Sequence, residues 1–150
     1  MIPRRLESFF YICEKGGTVM LETVKQLKVT PEHLDDQDHV NNVVFISLLE
    51  KARLEWYDKV GLTKEERKKR KIGTVVRKLE VNYMKEARLG DTLIIRTRPL
   101  RLGNTSFTFQ QTIYNERDER LVESIVTTVM FDTEKRKSIT VIDEIAAHFK

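Results

Sequence analysis

The sequence contains very little cysteine and no long apolar run. Cys13 is the single cysteine among 150 residues, so the chain cannot form an intrachain disulfide or supply a cysteine cluster for zinc. No apolar stretch approaches the roughly 20 residues that a membrane-spanning helix needs. Internal repeats and low-complexity segments are missing as well. These absences exclude a disulfide scaffold, a zinc-cluster protein and a protein that spans a membrane with helices.

The residues that are present fit one globular domain. Hydrophobic residues make up 40% of the chain, enough for a core, and charged residues make up 33%, which suits a cytoplasmic surface. The net charge of +4 is compatible with an anionic substrate, an acidic partner protein or nucleic acid, and does not choose among them. We expect a single domain over residues 20–150, preceded by an N-terminal extension over residues 1–19.

That N-terminal extension has two interpretations. Residues 14–20, EKGGTVM, can be encoded by a purine-rich string shortly before an ATG codon, which resembles a bacterial ribosome-binding site translated by mistake. One hypothesis is therefore that Met20 is the natural start and that residues 1–19 are mis-assigned. The other is that residues 1–19 form a real helix packed on the domain.

Hydrophobic periodicity predicts one long helix over residues 43–60. Apolar side chains recur there at spacings of three and four residues, and Gly61 ends the pattern. Four further apolar residues widen the apolar surface beyond one stripe: Val43, Val44, Ile46 and Leu54. We therefore expect a helix that is buried on several sides. Glu50 and Arg53, three residues apart, are expected to pair with each other on this helix.

Alternating apolar and polar residues predict an antiparallel sheet. The predicted strands cover residues 21–30, 75–83, 92–99, 107–114 and 121–131, followed by a short edge strand over 136–142 and a short terminal helix over 142–150. The strand over 75–83 is expected to place Val75, Leu79, Val81 and Tyr83 on one face. The strand over 121–131 is apolar on both faces, so we expect it to be central. A curved antiparallel sheet can wrap a helix of this kind, which predicts an α+β fold.

A basic run, KEERKKRK over residues 64–71, is the one candidate for contact with nucleic acid. It has no interleaved aromatic residues on which bases could stack. We expect a solvated connector and no nucleic-acid binding.

The segment DDQDHVNN, residues 35–42, concentrates polar groups directly before the predicted helix. Its three carboxylates, one histidine and two asparagines either only cap the helix or form an active site. Asparagine is a favoured N-cap residue. The first N–H groups of a helix also lack partners inside the helix, and the helix dipole adds partial positive charge there.

These residues form a motif, Asp35-x-x-x-His39-Val40-Asn41-Asn42-x-x-Phe45, that continues along the chain. It is followed by Glu50-x-x-Arg53-x-x-Trp56, then by Val81-Asn82-Tyr83 and Gly90-Asp91. Together they resemble the hotdog-fold acyl thioesterases, in the branch of the 4-hydroxybenzoyl-CoA and acyl-carrier-protein thioesterases. The resemblance covers about residues 21–142. Asp38, where many relatives have Gly or Asn, is a departure that adds a negative charge near the site.

The resemblance implies the hotdog fold, a curved antiparallel sheet wrapped around one long central helix. It implies a homodimer, which can pair into a homotetramer, with sites at the subunit interface. It also implies hydrolysis of an acyl thioester of coenzyme A or of acyl carrier protein, with no metal and no cofactor. Asp35 occupies the place of the catalytic aspartate of the family.

Thioester chemistry is compatible with a site that has one carboxylate. The thiol that leaves has a pKa near 8.5 and needs little protonation. Asp35 can act as a general base on water or as a nucleophile, and the sequence leaves both open. A backbone N–H near Asn42 can bind the oxyanion, with Asn41 and Asn42 shaping the helix start, and His39 can orient Asp35, water or the acyl carbonyl. The alternative is a hotdog protein that binds acyl thioesters without hydrolysing them.

Two further groups of residues are candidates for contact with the substrate. Walls for the acyl group are expected among Leu48, Leu49, Trp56, Val76 and Tyr83. Basic residues around the mouth, for the phosphates of coenzyme A or an acidic carrier protein, are expected among Arg77, Lys78, Lys85, Arg88, Arg96 and Arg98.

The start-site hypothesis is tested by the intact mass of the native protein. We expect the mass of a chain whose first residue is Met20 if the upstream codons belong to a ribosome-binding site. A mass that includes residues 1–19 would contradict the hypothesis.

Overall fold

The described part of the chain consists of one antiparallel sheet and three α-helices. The computed structural model describes residues 8–15 and 18–149, with side chains from residue 20 onward. The strands are β1 Ser8–Lys15, β2 Thr18–Lys28, β3 Ile72–Tyr83, β4 Thr92–Leu102, β5 Ser106–Tyr114, β6 Arg120–Asp132 and β7 Lys137–Ser138. The helices are α1 Asn42–Lys59, α2 Lys64–Arg70 and α3 Asp143–Ala146, and a 3-10 turn covers Pro31–His33. In the described residues, no helix combines the length and apolar character that crossing a membrane requires.

The strands follow the order β1-β2-β4-β5-β6-β3, and β7 adds to β6. All neighbouring pairs are antiparallel. Strand β6 lies between β5 and β3, which confirms the prediction that the strand over 121–131 is central. Strand β3 lies at one end of the order, so one of its edges has no neighbouring strand in the described sheet.

The structure of the N-terminal residues contradicts one of the two interpretations of this segment. Ser8–Lys15 form strand β1, which pairs with β2, so the prediction of a helix is wrong for these residues. Residues 1–7, 16 and 17 lie outside the described residues. The hypothesis of a start at Met20 remains a prediction.

Helix α1 packs against one face of the sheet, called the inner face here. Its buried residues are Phe45, Leu48, Leu49, Ala52, Arg53, Trp56 and Tyr57. Toward the helix start these residues share a core with Leu93, Ile95 and Ile113. Toward its end Trp56 and Tyr57 share a second core with Phe107 and Phe109. Burial of large apolar side chains of this kind contributes roughly 1.5–3 kcal/mol each.

The apolar surface of α1 is less fully buried than the sequence predicts. Val43 and Leu54 are 65% and 40% exposed, and the prediction that they add to the buried surface is wrong. With 3.6 residues per turn, positions 43 and 54 lie on the same side of the helix, opposite the residues that contact the sheet. Val43 and Leu54 are therefore two exposed apolar side chains on this side of α1, with Ser47 and Glu50 between them.

Strand β3 changes its facing residues part-way along. The register pairs Leu79 with Val126 and Val75 with Val129, and it shifts between Val76 and Lys78. Val126 and Val129 are three residues apart on β6, so Leu79 and Val75 lie on opposite faces. The prediction that Val75 shares a face with Leu79 is wrong, because the bulge at position 77 breaks the alternation.

The basic run also differs from its prediction in one respect. Residues 64–70 form helix α2, in which Thr63 accepts a hydrogen bond from Glu66 N and no residue is buried. The run is solvated as expected, but it is helical. A charged run has no apolar stripe, so periodicity gave no signal for this helix.

Arg53 is a buried cation in the middle of the core. Its Nη1 donates to Gln111 Oε1 at 2.9 Å, and Gln111 Nε2 donates to Leu49 O and to Thr97 Oγ1, both at 2.9 Å. Burial lowers the pKa of Arg53, while Tyr57 acts in the opposite direction. Glu50 also acts to raise the pKa of Arg53, so the predicted attraction between the two is present. The described ion pairs do not include a close Glu50–Arg53 contact, because the guanidinium turns toward the sheet and hydrogen-bonds to Gln111.

We expect the Arg53–Gln111 contact to be energetically coupled. Gln111→Leu removes the acceptor and leaves a buried guanidinium, which should lower the free energy of unfolding by about 2–3 kcal/mol. In the background of Arg53→Met the same change should cost much less, since no buried charge is then stranded. Urea unfolding of the four proteins measures the coupling, and an equal cost in both backgrounds would contradict it.

Candidate active site

The polar segment before α1 folds into a tight turn. Leu34 and Val40 form an antiparallel bridge across it. Within the turn, Asp35 N donates to His39 O at 2.8 Å and Asp38 N donates to Asp35 O at 3.2 Å. Asp38 has a φ of +62°, a conformation that aspartate tolerates better than most residues. Asp38 thus has a role in the turn itself.

The turn is fastened to the rest of the protein at its end. Val40 N donates to Ala87 O at 2.9 Å, and Asn41 N donates to His33 O at 3.1 Å. Ala87 is fully buried in the loop between β3 and β4. The first residues of α1 are therefore held between this loop and the 3-10 turn.

The Asp35 carboxylate is oriented by its own turn. Its Oδ1 accepts from the backbone N–H of Gln37 at 2.9 Å and from that of His39 at 3.3 Å. The side chain is half-buried. No described contact uses Oδ2. One carboxylate oxygen is thus fixed, and the other is available to a substrate or water.

The start of α1 leaves one backbone N–H without an acceptor. Asn41 is the N-cap, and its Oδ1 accepts from Val43 N at 2.8 Å, which confirms Asn41 as a capping residue. Val44 N and Phe45 N both donate to Asn41 O. Among the described contacts, the N–H of Asn42 has no partner. This is the donor that the helix start can offer to an oxygen atom outside the helix.

A pocket of about 360 Å³ opens at this point. It is lined by Asp35, His39, Val40, Asn42, Phe45, Tyr83, Met84, Lys85 and Glu86. Three of the four predicted site residues, Asp35, His39 and Asn42, thus border one cavity. The fourth, Asn41, acts as the cap behind it. The Oη of Tyr83 donates to Asn42 O at 3.4 Å.

The imidazole of His39 contacts a residue that sequence reasoning missed. Its Nε2 lies 2.7 Å from Glu86 Oε2. The group of His39 that contacts Asp35 is its backbone N–H and not its ring, and the predicted role of His39 in orienting Asp35, water or the acyl carbonyl stays a prediction. Glu86 lies between the predicted strand and the Gly90-Asp91 turn, and that position alone gave no signal of contact with His39.

The predicted substrate contacts are only partly found at this pocket. Of the candidate walls, Tyr83 borders it, whereas Leu48, Leu49 and Trp56 lie in the core and Val76 is exposed on β3. Of the candidate basic residues, Lys85 borders the pocket. Arg96 and Arg98 border a different surface pocket, together with Arg120.

Ion pairs hold the rim of the pocket. Lys85 pairs with Glu119, which also accepts from Arg117 Nε at 2.8 Å. Lys85, Arg117 and Asn115 lower the pKa of Glu119 to about 2, so this carboxylate stays ionised near neutral pH. Within the described residues, no group of three or more His, Cys, Asp or Glu side chains could hold a metal ion.

Residues 29–149 match the family model of the thioesterase-like superfamily. The chain belongs to this superfamily. It is also similar to two curated proteins of Escherichia coli. One is the acyl-CoA thioester hydrolase YbgC of strain O6:H1, which is 31% identical over 83% of this chain and 92% of its own length. The other is the long-chain acyl-CoA thioesterase FadM of strain K12, 30% identical over 80% of this chain and 91% of its own.

Solved structures show the same fold. A hypothetical protein from Staphylococcus aureus, SAV2348, solved in complex with CoA, superposes with a TM-score of 0.80. It is 16% identical, and the match covers 84% of this chain and 82% of the other. The curled antiparallel sheet with few helices is that of the hotdog-fold thioesterases. This confirms the predicted hotdog sheet. The family and its members identify the chain as a thioester hydrolase.

Proposed function

We propose that this protein hydrolyses acyl thioesters of coenzyme A to the free acid and the thiol. The observation that carries the proposal is the shared pocket of the Asp35 carboxylate and the helix start at Asn42. The names of YbgC and FadM point to acyl-CoA as the substrate class. Acyl carrier protein is the alternative carrier. We place the activity in the cytoplasm.

In this proposal Asp35 is the residue that either attacks the acyl carbon or activates a water molecule. Its fixed Oδ1 holds the carboxylate in place, and Oδ2 approaches either a water molecule or the acyl carbon. As a general base it takes a proton from water, and as a nucleophile it forms a mixed anhydride that water then hydrolyses. The two backbone N–H groups on Oδ1 hold the carboxylate in one orientation, which either role needs.

The oxyanion is stabilised in this proposal by the N–H of Asn42. This N–H has no acceptor in the described contacts and lies at the positive end of the α1 dipole. Asn41 contributes by capping the helix, so that the N–H of Val43 is already satisfied. The leaving thiolate needs little protonation, so a second acid is not required.

We further propose that α1 is the central helix of the hotdog fold and that two copies associate through β3. The free edge of β3 carries exposed Val75, Val76 and Tyr83. Tyr83 also borders the pocket, so a partner at this edge would cover the site. The exposed side chains of Val43 and Leu54 on α1 add apolar surface that a dimer, or a tetramer, can bury.

We expect Asp35→Asn to lower turnover by about 100-fold or more, because the amide can neither accept the proton nor attack the carbonyl. The measurement is thiol release from a panel of acyl-CoA substrates, which also identifies the acyl class. Asp36→Asn is the matched control, since Asp36 is an exposed acid in the same turn. Equal turnover of Asp35→Asn and the wild type would contradict the proposed role. A wild type that binds acyl-CoA without turnover would favour the non-catalytic alternative.

Charges on β3 should disrupt the proposed dimer. We expect wild-type protein to elute as a dimer, or as a tetramer, and the double variant Val75→Lys, Val76→Lys to shift toward the monomer. Light scattering after size-exclusion chromatography measures the mass. Leu100→Lys on β4 is the matched control, an exposed apolar residue away from the edge strand. A wild-type monomer, or an unchanged mass in the double variant, would contradict this interface.

A further inference from the structure

We propose that Glu86 is a positioning residue that holds the imidazole of His39 in the thioesterase site. Its carboxylate joins two neighbours. Oε2 lies 2.7 Å from His39 Nε2, and Oε1 accepts from Arg88 Nε at 2.9 Å and Arg88 Nη2 at 2.6 Å. The inference rests on the proposed function, because it assigns a role within that same site.

The chemistry of the contact determines which ring nitrogen carries the hydrogen. An ionised carboxylate can only accept hydrogen bonds, so His39 Nε2 must be the donor. In the neutral imidazole, Nδ1 is then left as an acceptor. Glu86 therefore selects one tautomer and one ring orientation, as carboxylate partners of functional histidines do.

Glu86 is itself held from two directions. Arg88 binds the second carboxylate oxygen through two N–H groups, so the carboxylate cannot rotate away from His39 without losing both bonds. The backbone on either side is also fastened, since Met84 N donates to Leu121 O at 2.8 Å and Arg88 N donates to Asp91 Oδ2 at 3.0 Å. A carboxylate held in this way can serve as a fixed support for the imidazole.

Because the ring of His39 contacts Glu86, the imidazole does not hydrogen-bond to the Asp35 carboxylate. Residue His39 is bound at two points, with its backbone N–H on Asp35 Oδ1 and its ring on Glu86. Because Glu86 takes the ring Nε2–H, that donor does not occupy the second oxygen of Asp35. Asp35 thus keeps an oxygen for water or the acyl group, and Nδ1 of His39 remains able to accept a hydrogen bond.

A role in stability alone does not account for this arrangement. The side chains of His39 and Glu86 are 35% and 40% exposed, and an ion pair that solvent reaches to this extent contributes little to stability. Removing Glu86 should therefore leave the fold intact and act on the reaction. That difference makes the proposal testable.

The experiment compares Glu86→Ala and Glu86→Gln with the wild type in thiol release from acyl-CoA. We expect Glu86→Ala to lower kcat by about 10- to 100-fold, with KM changed by less than about threefold, because ring orientation acts on the reaction rather than on binding. Glu86→Gln keeps an acceptor oxygen and should recover part of the loss. Glu134→Gln is the matched control, since this exposed acid pairs with Lys71 and should leave kcat unchanged.

A spectroscopic measurement accompanies the kinetics. Long-range 1H–15N correlation spectra at mildly alkaline pH report the tautomer of each imidazole, and His39→Gln assigns the signal. We expect the Nε2–H tautomer for His39 in the wild type and a mixture of tautomers in Glu86→Ala.

The outcomes separate this inference from the proposed function. If the wild type turns over acyl-CoA and Asp35→Asn does not, but Glu86→Ala has the kcat and His39 signal of the wild type, the positioning role is wrong and the proposed function stands. If the wild type hydrolyses no substrate, the proposed function fails and the positioning role fails with it. In that case the His39 signal still reports whether the Glu86 contact exists.

Discussion

The packing of α1 on the inner face of the sheet is the constraint on which the rest of the structure depends. Two polar contacts fix the helix along its axis, in addition to the apolar core. Trp56 Nε1 donates to Leu21 O on β2, and Gln111 on β5 donates to Leu49 O, both at 2.9 Å. Because these contacts come from different strands and from different turns of the helix, α1 cannot slide without breaking one of them. The position of the helix start follows from this.

The position of α1 determines which groups meet at the candidate active site. Once the start of α1 is fixed, Val40 N reaches Ala87 O, and the loop after β3 is joined to the turn before the helix. The turn directs its own N–H groups onto Asp35, while the N–H of Asn42 has no acceptor among the described contacts. Glu86, on the other side of the same junction, receives the ring of His39. A carboxylate, a helix N–H and an oriented imidazole thus meet at one pocket without a metal ligand set among the described residues.

Much of the fold could be predicted because the relevant signals are local. The predicted helix over 43–60 agrees with α1 Asn42–Lys59 within one residue at each end, since apolar spacing and Gly61 mark both its face and its end. The central place of β6 followed from its apolar residues on both faces. The bulge in β3 was not predictable, because an extra residue changes the facing pattern without changing the composition. Helix α2 was missed because its residues contact solvent and carry no periodic signal.

The sequence by itself determined the fold class, the superfamily motif and the presence of Asp35, His39, Asn41 and Asn42 beside a helix start. These features depend on residues close together in the chain, where spacing specifies geometry. Only the tertiary structure decided that Arg53 turns to Gln111 rather than to Glu50, and that His39 contacts Glu86. Both contacts join segments far apart in sequence, and charged side chains on flexible stems can reach several partners. Which partner each one meets is decided by how the helix, the sheet and the loop after β3 pack together.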